Sequence, residues 1–165
     1  DLTEVKAIRV PIAQIEKYRL QVGDVLMNEG GDFDKLGRGT VWHGEIELCL
    51  HQNHVFKARP LEGKLSSDFL AYVSSSPYGK AFFVLASKQS TNLASINSTQ
   101  LKSFLVPLPP YHEQVRIQES IFQNERAIGV YQDELKKWRQ LKAGLMHDLL
   151  TGQRRVTLLL AQAAP

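Results

Sequence analysis

The sequence predicts a mixed α/β (α+β) domain followed by one long C-terminal helix of coiled-coil type. Two observations carry this reading. Up to about Leu108, short β-rich runs alternate with helix-like segments and turns rich in Gly and Asp. From Tyr111 to about Thr151, apolar residues recur instead at spacings of four and three. Between the two regimes stands VPLPPYHEQVRI (106–117), with three prolines in four residues. Proline cannot sit inside a helix, but it fixes the backbone for a first turn, where its missing donor costs nothing. The stretch reads as a stiff hinge that launches the helix. The resulting division is 1–108, a compact domain; 109–152, a long spacer or dimerisation helix; and 153–165, a tail.

Within the first part, DVLM (24–27), TVW (40–42) and HVFKAR (54–59) are short strands. NEGGDFDKLGRG (28–39) is dense in Gly and Asp and reads as a loop. SSDFLAYVSSS (66–76) is a helix with Ser and Asp at its start, ended by Pro77, and PYGKAFFVLAS begins another. SKQSTNLASIN (87–97) is polar and loop-like. Asn97 caps a short turn through Leu101, before an extended SFLVPLP.

The second part has one seam: Ile117, Ile121, Asn124, Ile128, Tyr131, Leu135, Trp138, Lys142, Leu145 and Leu149, polar only at Asn124 and Lys142. A helix of this span is roughly 60 Å long at 1.5 Å per residue. No small core covers that length, so the seam calls for another long helix; a helix lying on its own domain is the alternative. Polar seam positions fix register or partner choice at some cost in stability. Tyr131 and Trp138 read as packing anchors rather than base-stacking platforms. Gly152 is the stop. Glu113 and Gln114, in the first turn, suit the helix dipole and its free amides.

Composition excludes several classes. At 165 residues, with 43% hydrophobic and 22% charged residues, the chain suits one folded domain plus an appendage. A net charge of +3 and a pI near 9.0 permit an acidic partner. Cys49 is the only cysteine, so neither an internal disulfide nor a multi-Cys zinc site can form; flanked by leucines, it reads as a small core residue. No apolar run approaches the roughly 20 residues of a membrane span, no signal-peptide pattern opens the chain, and a cytoplasmic location is expected.

Taken in order, several stretches resemble the specificity subunit of Type I restriction–modification enzymes. They are GDVLMNEGGDFDKLGRGTVW (23–42), CLHQNHVFKARP (49–60), LASIN (93–97), the Pro-Leu-Pro-Pro…Glu-Gln…Ile pattern (107–117) and LKAGLMHDLLTG (141–152). The resemblance covers nearly the whole chain. It implies a target-recognition domain that reads one half of a split DNA sequence. The helix would then space the halves and dock methyltransferase subunits, which hold S-adenosylmethionine and flip the adenine. The motor and nuclease would belong to a third, restriction subunit. On this reading the chain carries no catalytic residue and no cofactor of its own. A complete recognition domain of the family starts some tens of residues before Asp1, and a full subunit carries two domains and two helices. The resemblance therefore implies the C-terminal half of a subunit, or part of a half-sized one, without its N-terminal strands.

Reading DNA needs donors and acceptors on loops that can enter a groove, and cations for phosphates. From Lys35 to Lys102 there are eight Lys/Arg against four Asp/Glu, whereas the first 34 residues are net acidic. Lys35 and Arg38 in DKLGRG, and Lys88, Gln89 and Asn92 in SKQSTN, are the DNA-binding candidates. Arg38 suits a guanine or a phosphate; Gln89 and Asn92 suit an adenine edge. Ordinary solvated turns are the bland alternative. Gln52, Asn53 and His54 sit between apolar neighbours and read as a buried hydrogen-bond network rather than a DNA contact.

His43, His51 and His54 do not make a metal site, because His-x-x-His on a strand points to opposite faces. There is no Walker-type phosphate loop, no S-adenosylmethionine motif and no nuclease cluster, and Asp32 and Asp34 have no evident partner. Two alternatives stay open: the C-terminal specificity region of a single-chain restriction–methylation enzyme, and a coiled-coil module whose head binds protein.

Overall fold

A computed structural model of the chain describes residues 2, 4–31, 35–89, 94–155 and 157. The chain divides into two units, Asp1–Gln118 and Glu119–Pro165. The elements run α1 (Ile12–Tyr18), β1 (Val25–Asn28), β2 (Gly30–Gly31), β3 (Gly39–Val41), β4 (Val55–Ala58), α2 (Ser67–Ser75), α3 (Pro77–Ala86), β5 (Lys88–Gln89), β6 (Ala94–Ser95), α4 (Ser98–Lys102) and α5 (Tyr111–Leu150). This is the mixed α+β class with a long C-terminal helix. Among the described residues, no helix is long and apolar enough to cross a membrane.

In the first unit, β1 is the middle strand of an antiparallel sheet of order β3-β1-β4. Val25 faces Val41 on one side and Ala58 on the other; Asn28 faces Val55. The alternation of β1 turns Val25 and Met27 into the core. There they meet Leu36, Leu70, Phe83, Ala94, Ile96 and Phe104. Phe83 and Phe104 pack with ring centroids 4.8 Å apart, with Phe82 5.0 Å from Phe104. The three strands expected from β-rich runs are all present, each within a residue or two of its expected ends.

Both loop expectations change. The polar stretch 87–97 is not all loop: β5 and β6 form a second antiparallel sheet with β2, of order β2-β6-β5. Gly30 and Gly31 of β2 come from the other loop-like stretch, 28–39, and pair with Ser95 and Ala94. Two-residue strands are too short to show an alternation, so only their pairing reveals them. Helix α1 is also new. Its seven residues, IAQIEKY, bury nothing fully, and so leave little periodic signal.

Asn97 caps α4 reciprocally with Gln100: Gln100 N–H donates to Asn97 Oδ1 (2.9 Å), and Asn97 N–H donates to Gln100 Oε1 (2.7 Å). Helix α5 begins directly after Pro110, whose carbonyl accepts from Glu113 and Gln114 N–H (2.9 and 3.2 Å). Gln114 corrects its expected role. Its side chain is fully buried and serves the segment before α2, not the free amides of α5. Oε1 accepts from Ser66 N–H (2.9 Å), and Nε2 donates to the carbonyls of Lys64 and Pro109 (2.8 and 2.9 Å). One turn on, Gln118 accepts from the Ser66 hydroxyl. Cys49 is half-buried rather than a core residue, and desolvation raises its thiol pKa.

The second unit holds α5 from Glu119 onward. Its seam residues are largely exposed, Tyr131 at 69% and Trp138 at 64% among them. After Leu150 the chain leaves the helix at Gly152, whose φ of +73° is a conformation that a side chain disfavours.

Candidate nucleic-acid interface

The two candidate loops come together through the backbone of Asn28 and Glu29. Asn28 O accepts from Gly37 N–H (3.3 Å), and Asn28 Nδ2 donates to Lys35 O (3.4 Å), which ties the 35–38 turn to the end of β1. Glu29 O accepts from Ile96 N–H (2.8 Å), which ties in the segment that follows β6. Lys88 and Gln89 of β5 pair with Ser95 and Ala94 of β6. A chain of backbone bonds therefore runs from Lys35 and Arg38 to Lys88 and Gln89.

The 35–38 turn is anchored from below. Lys35 and Arg38 are exposed, while Leu36 and Gly37 between them are buried. Gly37 adopts φ +62°, and a Cβ there would come within 2.2 Å of the Phe83 ring. No other residue fits: the turn needs both the left-handed backbone and the missing side chain. The core thus holds the middle of the turn and leaves its two cations at the surface.

Lys88 is exposed. Gln89 is placed by its backbone in β5, and Asn92 lies outside the described residues.

The 51–54 turn reaches the same point, which the sequence pattern does not reveal. Glu29 N–H donates to His54 O (3.2 Å), and His54 Nδ1 lies 3.0 Å from Glu29 Oε2. Gln52, Asn53 and His54 are exposed, His54 with 84% of its side chain, so the buried network expected of them is overturned. The sequence offers apolar neighbours at Leu50 and Val55, but these are only half-buried and do not enclose the turn. His51, by contrast, is half-buried: Nδ1 lies 3.1 Å from Gln52 O and 3.0 Å from Val55 O. Both neighbours only accept, so Nδ1 carries the proton. No group of three or more His, Cys, Asp or Glu able to hold a metal occurs among the described residues.

At the other end of β1 an ion pair closes the sheet. Asp24 is fully buried; its Oδ1 and Oδ2 accept from Arg59 Nε and Nη2 (2.6 and 2.8 Å), and Oδ2 also accepts from Gln21 N–H (2.7 Å). Burial alone raises the pKa of this carboxyl. The Arg59 and Gln21 hydrogen bonds, with the charges of Arg59 and Lys57, outweigh it and hold the pKa below the ordinary value. This pair joins β1 to β4 and stands away from the three converging loops.

Polar loops mounted on a small rigid sheet, cationic at their rims, suit a DNA-reading surface. Residues 2–137 match the family described as the Type I restriction modification DNA specificity domain, and the chain belongs to that family. Over 137 residues it is 31% identical to a protein of Methanocaldococcus jannaschii named as the type I restriction enzyme MjaX specificity subunit; the match covers 83% of this chain and 32% of that relative. The chain therefore spans about a third of the relative's length.

Proposed function

We propose that this chain is a DNA-sequence reader of a Type I restriction–modification system, recognising one half of a bipartite target and docking methyltransferase subunits. The observation that carries the reading is the convergence on Asn28–Glu29 of the loops bearing Lys35, Arg38, Lys88 and Gln89. Arg38 would fork onto a guanine or a phosphate, Lys35 and Lys88 would neutralise phosphates, and Gln89 and Asn92 would meet base edges. The chain itself performs no chemistry on this reading. S-adenosylmethionine would be held by the methyltransferase, and the restriction subunit would join indirectly.

Alanine at Lys35 or Lys88 tests the phosphate roles. Each phosphate left without its cation makes the slope of log affinity against log salt shallower by roughly 0.9 on duplex DNA. Slopes unchanged at both positions would remove these loops from the interface.

The exposed seam of α5 supports a second element of the proposal: pairing with the same helix of a second copy, antiparallel. Centred on Asp133, that arrangement sets Ile117 against Leu149, Ile121 against Leu145, Ile128 against Trp138 and Tyr131 against Leu135. The two polar seam residues, Asn124 and Lys142, then meet each other. A parallel pair would set Lys142 beside its own copy and double the four cations between Lys136 and Lys142 along one stretch. A second recognition half with a similar helix is the alternative occupant, and mixed-mass complexes would reveal it.

A further inference from the structure

We propose that the turn Gln52–His54 is a third reading element of the interface, with the carboxamides of Gln52 and Asn53 directed to base edges in the DNA groove. The inference rests on the DNA-reading function proposed above and adds residues to it. Three features of the turn carry it.

The first is position. Glu29 N–H bonds His54 O while Glu29 O accepts from Ile96 N–H, so a single residue fastens this turn beside the segment that follows β6. The neighbouring Asn28 fastens the 35–38 turn. The three loops thus radiate from two consecutive residues.

The second is preorganisation. His51 closes the base of the turn through Nδ1, and its ring lies against Tyr18 with centroids 5.5 Å apart. His54 is steadied by the Glu29 carboxylate (3.0 Å) while 84% of its side chain stays exposed. A turn held at both ends loses little entropy when it binds.

The third is chemistry. Gln52 and Asn53 are exposed and, among the described residues, no side-chain hydrogen bond within the domain occupies either amide. Asn and Gln are the side chains that pair bidentately with adenine N6 and N7. The turn has no carboxylate of its own. Glu29 Oε2 lies 3.0 Å from His54 Nδ1, so that carboxylate is engaged by the turn, whose Gln52 and Asn53 present amide donors and acceptors.

The experiment selects bound sequences from a randomised duplex pool, using the full chain assembled with its methyltransferase subunits. Gln52→Ala and Asn53→Ala are compared with the unaltered chain, and Asn53→Ser serves as a second variant should alanine disturb folding. The expected result is preference relaxed roughly 5- to 150-fold at one base pair, with the salt slope and the melting transition unchanged. An unaltered selection profile in every variant would make the turn a solvated one and overturn the inference. A uniform loss across all sequences with a shallower salt slope would make it a phosphate contact, which also overturns base reading. Failure of the unaltered complex to bind duplex DNA would overturn this inference together with the function it rests on.

Discussion

At the residue scale, two buried polar groups decide more than their size implies. Gln114 satisfies three backbone groups at once, from Lys64, Ser66 and Pro109. Replacing it with alanine strands the buried Ser66 amide at a cost of about 1–3 kcal/mol, while the part-buried Lys64 and Pro109 carbonyls, which water can reach, add less. Gln114→Ala should lower the unfolding free energy by about 2–4 kcal/mol in chemical denaturation. Gln114→Glu should be no better near neutral pH, because a carboxylate faces the Lys64 and Pro109 carbonyls with no proton to donate. A glutamate variant as stable as the parent would mean that packing, not the carboxamide, holds this corner.

Asp24 makes a different prediction, set by pH. Its folded pKa lies below the ordinary 3.8. The stability it supplies is therefore complete above that ordinary value and is lost as pH falls through the depressed folded value. Asp24→Asn should cost about 2–3 kcal/mol near neutral pH, less than the loss of a wholly buried pair, because Arg59 is half-exposed and can rehydrate. The gap between parent and variant should narrow as pH drops below about 4. A gap that stays constant from neutral pH to acid would exclude the carboxylate charge as its source.

At the scale of elements, α5 is the test case. Its seam is legible in the sequence because forty residues repeat the 4/3 spacing many times over. Charged residues at Leu135 and Trp138 should abolish association measured by sedimentation, while the first unit melts as before. An unchanged oligomer mass would show that helix pairing does not run through the seam. Direction is tested separately, in a Cys49→Ser background. A disulfide should form between Asn124→Cys in one copy and Lys142→Cys in the other. Efficient crosslinking of Asn124→Cys with itself would mean a parallel pair instead.

The smaller elements are harder to read, for physical reasons. Strands β1, β3 and β4 carry β-branched or aromatic residues at pleated positions, so their runs stand out. Strands β2, β5 and β6 are two residues each, built from Gly, Lys, Gln, Ala and Ser. They exist because distant segments pair, which no local pattern announces. The candidate loops are legible as polar and basic. Their meeting at Asn28–Glu29 is not, since it depends on backbone bonds across the fold. The 51–54 turn misleads for the same reason: its neighbours in sequence are apolar, but its surroundings in space are solvent and Glu29.

At the scale of the whole molecule, two properties stand side by side. The first unit offers three loops fixed to one short stretch of backbone, and the second offers a helix whose seam is largely exposed. The chain belongs to the DNA specificity domain family, and the proposed function assigns the first property to sequence reading. The direct test is duplex DNA binding by this chain at two salt concentrations, with and without methyltransferase subunits, alongside sedimentation mass. The predicted result is a paired chain whose salt-sensitive binding tightens when the methyltransferase is added. An assembled chain without DNA affinity in either setting would contradict it, leaving the helix as an interaction module and the loops without a nucleic-acid role.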